Sequence, residues 1–576
     1  MPATAKIWDK INTEVSSYEK TSLPINPSFA PKQGDILKLI DYYWMNKFRD
    51  GDTDSNNFRK AFYNATVPPT EVAQKMLDVD TKDIRIVAEE GQSYYPAWLA
   101  SKDLKIWMKD KKNENGRTFG QILNEMVYQF PKYGHLLAKK AKGSVHLVPL
   151  QNIRNQPDVD RILDSDLLTE IHEYTPYQLR QQDWDKDKVE KVIAKFKDKE
   201  KITVYEVHGD VGSKKYNYFI ITEGAKSDEI LFYDKKNRED LYKEVKFDGV
   251  TGRALGRGLP EKLFETQIAK NQQEHWLRSG QRWSSMHIFQ SKDDTMLAKN
   301  LITQVENGEI LTVLDPISQI ALEERNLPAY NFLDQKWDRQ GQELSFAYNQ
   351  IRGERPPAGT PLGTSILQTN MAVQYYDLKR EDLGMFIKEI LFDWIVPDFK
   401  KERKGAHELM TGEFDEDELD KFRNLILTHK GNQEILKYIS KNMKLPSGRE
   451  AELIKALIKE KIFNAKSLGI PKGIYENIKY KMDIIITNEQ IDMAARLTTL
   501  QTVLSILGTN PTILRDPRTR KIFYKLIDMA GFSPVNLGID QSPGVEEVMG
   551  SAEGRGSIAK PVAPRQPQSI QVPARL

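Results

Sequence analysis

Residues 351–401 read IRGERPPAGTPLGTSILQTNMAVQYYDLKREDLGMFIKEILFDWIVPDFKK, and the rest of the chain is organised around this stretch. It opens with a proline- and glycine-rich loop at 353–364, through which no regular helix can continue. A helical pattern follows from Ser365, which can cap the first turn, to the residue before Pro397. A second helical pattern at 332–352 precedes the loop, so the sequence predicts a loop held between two long helices. Apolar residues at steps of four and seven predict one apolar face on the longer helix, formed by Leu367, Met371, Leu378, Met385, Phe392 and Val396.

Composition narrows the class of protein. The chain has 576 residues, enough for several structural regions. Its 84 basic and 82 acidic residues nearly cancel, unlike the positive field of a protein that holds nucleic acid through many phosphates. No run approaches the ~18 apolar residues of a membrane span, and no signal-peptide pattern opens the sequence, so we expect a cytoplasmic or virion-internal protein. With no cysteine, disulfides, thiolate metal sites and cysteine nucleophiles are excluded.

The first 200 residues are predicted to contain an extended arm, three helices and one strand. Residues 1–33 are polar with scattered prolines and are expected to form an extended arm. Residues 50–56 begin like a calcium loop, but Ser55 and Ala61 stand where that loop has glycine and glutamate, so we favour a solvated turn. One strand is predicted at 144–149, and helices are predicted at 35–48, 118–140 and 177–197.

A small antiparallel β module is predicted next, inserted between helices. GRALGRGLP at 252–260 leads from this module into a helix at 261–283, and we interpret it as a flexible hinge followed by a helix cap. From residue 404 the pattern is mainly helical, and from 538 the composition cannot build a core. The strands of the module are predicted at 201–207, 216–222, 229–233 and 242–247, with further strands at 286–289 and 308–315 around a helix at 293–306.

Motifs that carry enzyme chemistry are missing. The nearest approaches to a Walker A phosphate loop are GDVGSKK at 209–215 and GRALGRG at 252–258. Both lack the glycine–lysine–hydroxyl ending that phosphate and magnesium require. The eight histidines are scattered, with no pair at i, i+4, and no carboxylate pair stands out among the 82 acidic residues. We therefore expect no catalytic residue, no metal site, no cofactor and no enzyme activity.

This layout resembles the portal proteins of tailed bacteriophages, the head-to-tail connector family whose rings let DNA enter and leave the capsid. Three stretches carry the resemblance: GRGLPEKLFETQ at 256–267 running into a long helix, GEILTVLD at 308–315 with the helix that follows it, and PPAGTPLGTS at 356–365 running into the longest helix. The order of elements matches over roughly 35–537. The resemblance implies an α+β, mainly helical fold of the portal type, with a wing, a helical stem, a small β clip and a helical crown.

Mapped onto this sequence, the resemblance implies ten regions. In chain order they are an extended N-terminal arm (1–34), the first part of the wing (35–174), a first stem helix (175–200), the clip (201–250), a second stem helix (251–285), the second part of the wing (286–352), a tunnel loop (353–364), a long wing helix (365–403), wing and crown helices (404–537) and a disordered tail (538–576). The tunnel loop would face DNA in the channel. Its candidate DNA-channel residues are Arg352, Arg355, Pro356, Pro357, Thr360, Pro361 and Thr364.

The resemblance also implies partners. These are further copies of the chain in a ring, a dodecamer in this family, double-stranded DNA passing through it, the large terminase subunit, the major capsid protein or scaffold, and a head-tail adaptor, with no membrane. The protein would sit at the portal vertex of the virion, and in the host cytoplasm during assembly. Two alternatives stay open. Another capsid- or tail-associated virion protein would lack the helix–loop–helix unit, and a packaging enzyme should carry the Walker A lysine that is missing here.

Overall fold

The protein has an α+β architecture that is mainly helical, as predicted. The computed structural model describes residues 7–23, 32–53, 59–79, 84–88, 94–113, 115–209, 217–226, 228–284, 288–290, 318–320, 327–349, 351–352, 362–405, 407–410, 416–442, 447–463, 467–470, 475 and 480–484. None of the helices in these ranges combines the length and the apolar character that crossing a membrane requires.

The helices, in chain order, are α1 (Ile7–Lys20), α2 (Gln33–Trp44), α3 (Val67–Met76), α4 (Tyr94–Asp110), α5 (Phe119–Tyr133), α6 (Pro176–Gln181), α7 (Lys186–Lys195), α8 (Arg238–Leu241), α9 (Leu259–Lys262), α10 (Phe264–Ser284), α11 (Leu327–Ser345), α12 (Leu362–Ile390), α13 (Val396–Glu402), α14 (Glu416–Asn442) and α15 (Gly448–Phe463). A π-helical segment, Leu391–Ile395, joins α12 to α13. Two short 3-10 helices lie at Leu150–Asn152 and Ile162–Asp164.

The strands are β1 (Ile84–Ala88), β2 (His135–Ala141), β3 (Ser144–Leu147), β4 (Ile153–Arg154), β5 (Leu167–Tyr174), β6 (Ile202–Gly209), β7 (Asn217–Thr222), β8 (Phe232–Asp234), β9 (Tyr242–Lys246), β10 (Ile288–Gln290), β11 (Ser318–Ile320), β12 (His407–Met410), β13 (Ser467–Ile470) and β14 (Tyr480–Ile484). They form a five-stranded sheet in the order β4-β5-β6-β7-β8, a three-stranded sheet in the order β3-β2-β9, and the pairs β1-β14, β10-β11 and β12-β13.

The five-stranded sheet is covered by helices on both faces. Helix α1 packs on one face, where its Ile7, Ile11 and Val15 are buried with Val207 and Phe219. Helices α6 and α7 pack on the other face. Their buried residues Leu179, Val189 and Val192 contact a cluster of strand residues, Ile202, Val204 and Ile220, which alternate along the strands with those of the first face. Burial on both faces makes this sheet a core element and not a projecting hairpin.

Three expectations for this region were wrong. The segment 1–34, expected to be an extended arm, contains helix α1, because its apolar residues recur with helical spacing and cover the sheet. The segment 175–200, expected to be one stem helix, forms the two short helices α6 and α7, each started by its own capping residue, Thr175 and Asp185. The strands expected to form a separate clip at 201–250 join two different sheets, since β6 pairs with β5 and β9 pairs with β2.

Helix α5 and the three-stranded sheet meet at Gly134. The sequence predicted a helix over 118–140, but α5 ends at Tyr133 because Gly134 adopts a left-handed backbone, with φ of 74°. Strand β2 begins at the next residue. Thr118 starts the helix with a capping box, as its side chain and that of Gln121 bond each other's backbone. The strand predicted at 144–149 is present as β3.

Helix α12 is the longest element in the part of the chain that the structure describes. It begins at Leu362, three residues inside the predicted loop. Instead of ending before Pro397, the helical path continues through the π-helical segment into α13. Pro397 lies in the first turn of α13, directly after the π-helical segment.

The buried face of α12 is not the predicted one. Ala372 is buried, and Tyr376, Leu383, Phe386, Ile387 and Ile390 join the largest hydrophobic core. Of the predicted face, Phe392 is partly buried and Val396 is buried, but Leu367, Met371, Leu378 and Met385 are exposed. We name these four exposed residues the α12 apolar line. The helix therefore has two apolar faces. The prediction chose the exposed face because its spacing of four and seven residues is the more regular.

Helices α10 and α11 pack side by side. Lys270 on α10 has a buried ammonium group that pairs with Asp334 at 2.5 Å and Asp338 at 2.7 Å on α11. The predicted helix at 332–352 begins earlier, at Leu327, and ends at Ser345. The strand expected at 308–315, the helix at 293–306 and the tail at 538–576 lie outside the described residues. Apart from the three segments corrected above, the division into regions remains a prediction.

Candidate nucleic-acid interface

The candidate DNA-channel residues lie where α11 leads towards α12. Arg352 is exposed in a turn seven residues after α11 ends, and Thr364 is exposed in the first turn of α12. The remaining five, Arg355, Pro356, Pro357, Thr360 and Pro361, lie outside the described residues. The described flanks nevertheless show how the two ends of the loop are fixed.

The end of α11 is held by a compact turn. Phe346, the residue after the helix, has a φ of 55°, which is uncommon for a residue with a bulky side chain. The Ser345 hydroxyl donates to the Gly341 carbonyl at 2.7 Å, and the backbone amide of Ala347 donates to the Ser345 Oγ at 3.3 Å. These bonds stop the helix and direct the chain towards α12.

Two tyrosines of α12 lock this turn. The Tyr376 Oη donates to the Ser345 carbonyl at 2.6 Å, and burial raises the pKa of Tyr376 above its ordinary value of 10. The neighbouring Tyr375 ring stacks on Phe346, with 4.4 Å between ring centroids and 17° between planes. The stacked and hydrogen-bonded turn thus ties the end of α11 to the fourth turn of α12, so the point at which the chain leaves α11 towards the loop is fixed.

A basic cluster lies beside the two tyrosines. We define it as Arg257, Lys262 and Lys379, which surround Asp248. The Lys379 Nζ is 2.6 Å from Asp248 Oδ1, and Lys262 also pairs with Asp248. Lys262 donates to the Tyr375 Oη at 3.0 Å, which links the cluster to the loop turn.

The cluster carries more positive than negative charge. Burial lowers the pKa of Lys262, and the nearby positive charges of Arg257 and Lys379 add to this effect although Asp248 opposes it. The Asp248 carbonyl accepts from the Arg257 backbone amide at 2.9 Å, but among the described residues no carboxylate pairs with the Arg257 guanidinium, whose Nε is buried without a hydrogen-bond partner. Asp382 also lies near Lys379 and Asp248, and burial raises its pKa. An arginine in this setting is a ready donor to an anionic oxygen.

The segment that positions Arg257 is packed and rigid, which corrects the flexible hinge predicted for 252–260. Arg253 and Glu261 form a buried bidentate ion pair, with Nη–Oε distances of 2.6 and 2.7 Å. A Cβ atom on Gly256 would lie 2.0 Å from the Gly134 carbonyl oxygen, so the two backbones touch there. The glycines that suggested freedom are required for close packing.

Sequence reasoning missed the basic cluster because its members come from three separate segments. Asp248 follows β9, Arg257 and Lys262 flank Pro260, and Lys379 lies in the middle of α12. Lys379 and its neighbour Arg380 are almost fully buried in a helix that is otherwise apolar on that side. Two buried cations in a core-facing stripe are the signal that the sequence offered, since a charged residue is seldom buried without a partner.

Comparison with known proteins finds similarity among solved structures, at low sequence identity. No protein-family model and no curated protein matches the sequence. Among solved structures, the chain is similar to a chain of the neck of an empty GTA particle, computed with C6 symmetry. The two chains share 10% identity, the match covers 58% of this chain and 82% of that chain, and the TM-score is 0.33. We draw no conclusion about function from a likeness at this TM-score.

Proposed function

We propose that this protein is the portal protein of a tailed phage. In this proposal copies of the chain form a ring, a dodecamer as in the family it resembles, at one vertex of the capsid. Double-stranded DNA passes through the ring during packaging and ejection. The ring meets the large terminase subunit first and a head-tail adaptor later, and the major capsid protein or scaffold surrounds it.

The observation that carries the proposal is the α12 apolar line. Leu367, Met371, Leu378 and Met385 are spaced by four and seven residues and stay exposed in the single chain. A line of this spacing is what a helix presents to another helix. Because the opposite face of α12 is already buried in the core, a neighbouring copy of the chain is the natural partner. A contact between different faces of identical copies closes into a ring when the rotation allows it.

The charge distribution supports a channel through which DNA slides. Each lysine or arginine that contacts a phosphate adds affinity, so a conduit needs few such contacts in each subunit. The chain's formal charge of +2 meets this requirement. The basic cluster supplies a local excess of positive charge beside Tyr375, which packs on the turn that ends α11. Contact there would be made with the DNA backbone and would carry no sequence preference.

We extend the proposal to the absence of enzyme activity in this chain. The sequence has no Walker A lysine, and packaging by a portal requires none, because the terminase would supply the hydrolysis. Robust ATP hydrolysis by the purified protein would count against the portal function.

Negative-stain imaging of the purified full-length chain tests the ring directly. We expect rings with a central hole, and monomers at every protein and salt concentration would overturn the proposal. DNA binding by the rings should fall steeply between 50 and 200 mM salt, as expected for phosphate contacts. Arg257→Glu should weaken this binding by about 10-fold or more while rings persist, and Arg339→Glu, on the exposed side of α11, serves as the matched control.

A further inference from the structure

Two glutamate–x–histidine pairs lie on neighbouring strands of the five-stranded sheet. Glu170 and His172 belong to β5, and Glu206 and His208 belong to β6. The antiparallel register places Glu170 directly opposite Glu206. Residues two apart on a strand share a face, so all four side chains lie on the same side of the sheet.

This face is buried beneath the three-stranded sheet. Glu170, Glu206 and His208 are each at most 5% exposed. Lys139 from β2 places its Nζ 2.9 Å from Glu170 Oε2 and 2.5 Å from Glu206 Oε2. The Tyr242 Oη from β9 donates to Glu170 Oε2 at 3.0 Å. Strands β2 and β9 therefore close over the two glutamates.

The described donors do not satisfy the two carboxylates. Like charges directly opposite on neighbouring strands repel, and Lys139 supplies one positive charge against two negative ones. The buried Oε1 atoms of Glu170 and Glu206 make no hydrogen bond of good geometry among the described residues: their neighbours there are the imidazole Nε2 of His172, 3.2 Å from Glu170 Oε1, and that of His208, 3.8 Å from Glu206 Oε1. Buried carboxylate oxygens without good hydrogen bonds lower the stability of the fold, unless a further cation lies among them.

The side-chain atoms around the two carboxylates have the spacing of metal ligands. His172 Nε2 lies 3.2 Å from Glu170 Oε1 and 3.3 Å from Glu206 Oε2. One ligand atom from each of these three residues falls within 4.8 Å of the other two. Ligands about 2.0–2.1 Å from a tetrahedral zinc ion are separated by roughly 3.3 Å, which the two measured distances match.

We propose that Glu170, His172 and Glu206 form a binding site for a divalent transition-metal ion of the zinc class. One imidazole nitrogen with two carboxylates favours zinc or cobalt over calcium and magnesium, which prefer oxygen ligands alone. The ion bridges β5 and β6 at the point where the three-stranded sheet covers them. Its role is structural, and the site is independent of the proposed ring function.

Lys139 has a defined place in this proposal. Its ammonium group competes with the metal ion for the same carboxylate oxygens, Glu170 Oε2 and Glu206 Oε2. Removing that charge strengthens metal binding, because the two carboxylates then lose their only described cation. An arrangement built solely as a lysine–glutamate ion pair behaves in the opposite way: removing the lysine leaves two buried charges uncompensated and no affinity for metal.

Titration of the EDTA-treated, dialysed full-length protein with Zn²⁺ by calorimetry, and with Co²⁺ by visible absorption, tests the site. We expect one ion per chain and an intense tetrahedral Co²⁺ spectrum. His172→Gln and Glu206→Gln should each weaken binding about 100-fold. His275→Gln, which removes a histidine on α10 outside the site, should leave both titrations unchanged.

The Lys139→Met variant keeps the test decisive if a ligand variant fails to fold. It should bind Zn²⁺ at least about 10-fold more tightly than the parent, and Zn²⁺ should raise its melting temperature. The proposal is overturned if the parent binds neither ion. It is equally overturned if stoichiometric binding survives in both ligand variants, or if Lys139→Met gains no affinity.

Discussion

At the scale of single residues, the glycines around the 252–258 segment carry a structural constraint that composition does not reveal. Gly134 and Gly256 bring two backbones into contact, and Gly134 has the left-handed conformation that favours glycine. His135, next to Gly134, accepts a hydrogen bond from the Gly256 amide at 3.2 Å. Helix α5, strand β2 and the segment that presents Arg257 are thus fixed to each other through atoms that only glycine leaves accessible.

Gly256→Ala should destabilise the protein strongly. The added Cβ would lie 2.0 Å from the Gly134 carbonyl oxygen, a backbone atom that cannot rotate away. We expect a loss of about 1–3 kcal/mol or more in the free energy of unfolding, measured by thermal or denaturant unfolding. Gly363→Ala is the matched control, since nothing lies within 4 Å of its added Cβ and it sits in the first turn of α12. Equal stability of the two variants would contradict the close approach.

Glu244 gives the stability a predictable dependence on pH. Burial alone would raise the pKa of Glu244, but His135, Arg161 and the backbone amide of Leu163 stabilise its charged form and hold the pKa below its ordinary value of 4.5. A lowered pKa in the folded state stabilises the protein above about pH 4.5, and this contribution is lost as the pH falls through the folded-state value.

Glu244→Gln should therefore cost about 1–3 kcal/mol at pH 7, and the difference from the parent should shrink below pH 4. Glu239→Gln provides the control, because Glu239 also lies near Arg161, at 3.8 Å, but is exposed. The test is to measure the melting temperatures of the parent and both variants from pH 3 to pH 7. A difference that stays constant over this range would mean that the lost contact is not ionic.

At the scale of elements, the sequence predicted local units well and their partners poorly. The α+β class, strand β3, strand β6 and the long helix after the loop could be read from periodicity and turn residues. Periodicity did not reveal that β6 pairs with β5 and β9 with β2, because pairing between segments far apart leaves no local pattern. The repeated glutamate–x–histidine spacing of β5 and β6 was visible in the sequence, but only the register makes the two pairs one cluster.

Helix α12 shows why a periodic pattern alone cannot assign a buried face. The α12 apolar line has the more regular spacing, and the face that joins the core contains Tyr376, Lys379 and Arg380 among its apolar residues. Polar atoms on that face are satisfied by specific partners, such as the Ser345 carbonyl for Tyr376 and Asp248 for Lys379. The tunnel loop was predicted from its prolines and glycines, whereas the basic cluster could be recognised only from contacts between three segments.

Charges placed on the α12 apolar line should separate oligomers without unfolding the chain. Leu378 and Met385 are exposed, so a Leu378→Glu, Met385→Glu double variant loses little burial within one subunit. We expect the circular dichroism spectrum to stay unchanged, and native mass spectrometry to show smaller species in place of rings. Any fall in melting temperature should come from the lost contacts between subunits. Asn370→Glu places a charge on the exposed surface of the same helix beside the line and should leave rings intact. Rings that persist in the double variant would exclude this face as the subunit contact.

At the scale of the whole molecule, the loop between α11 and α12 is the segment that, in the proposed function, would join the ring to the DNA. Its departure point is rigid, since Phe346 and Ser345 are held by Tyr375 and Tyr376. Its re-entry point is the first turn of α12 at Leu362. A segment anchored at both ends can change without disturbing the helices, which makes it possible to separate assembly from DNA handling.

Replacing 353–361 by a glycine–serine link of equal length should leave ring assembly intact and impair DNA packaging or retention. The replaced residues include Arg355, Pro356, Pro357, Thr360 and Pro361, whereas Thr364 and the start of α12 are kept because they are helical. Loss of the prolines and of Arg355 removes both the residues that restrict φ and the phosphate donor that the proposal assigns to the loop. The measurements are negative-stain images of the purified variant and the DNA content of heads assembled with it. Intact rings together with normally filled heads would reject the role of the loop, and loss of rings would instead place the loop in the subunit contact.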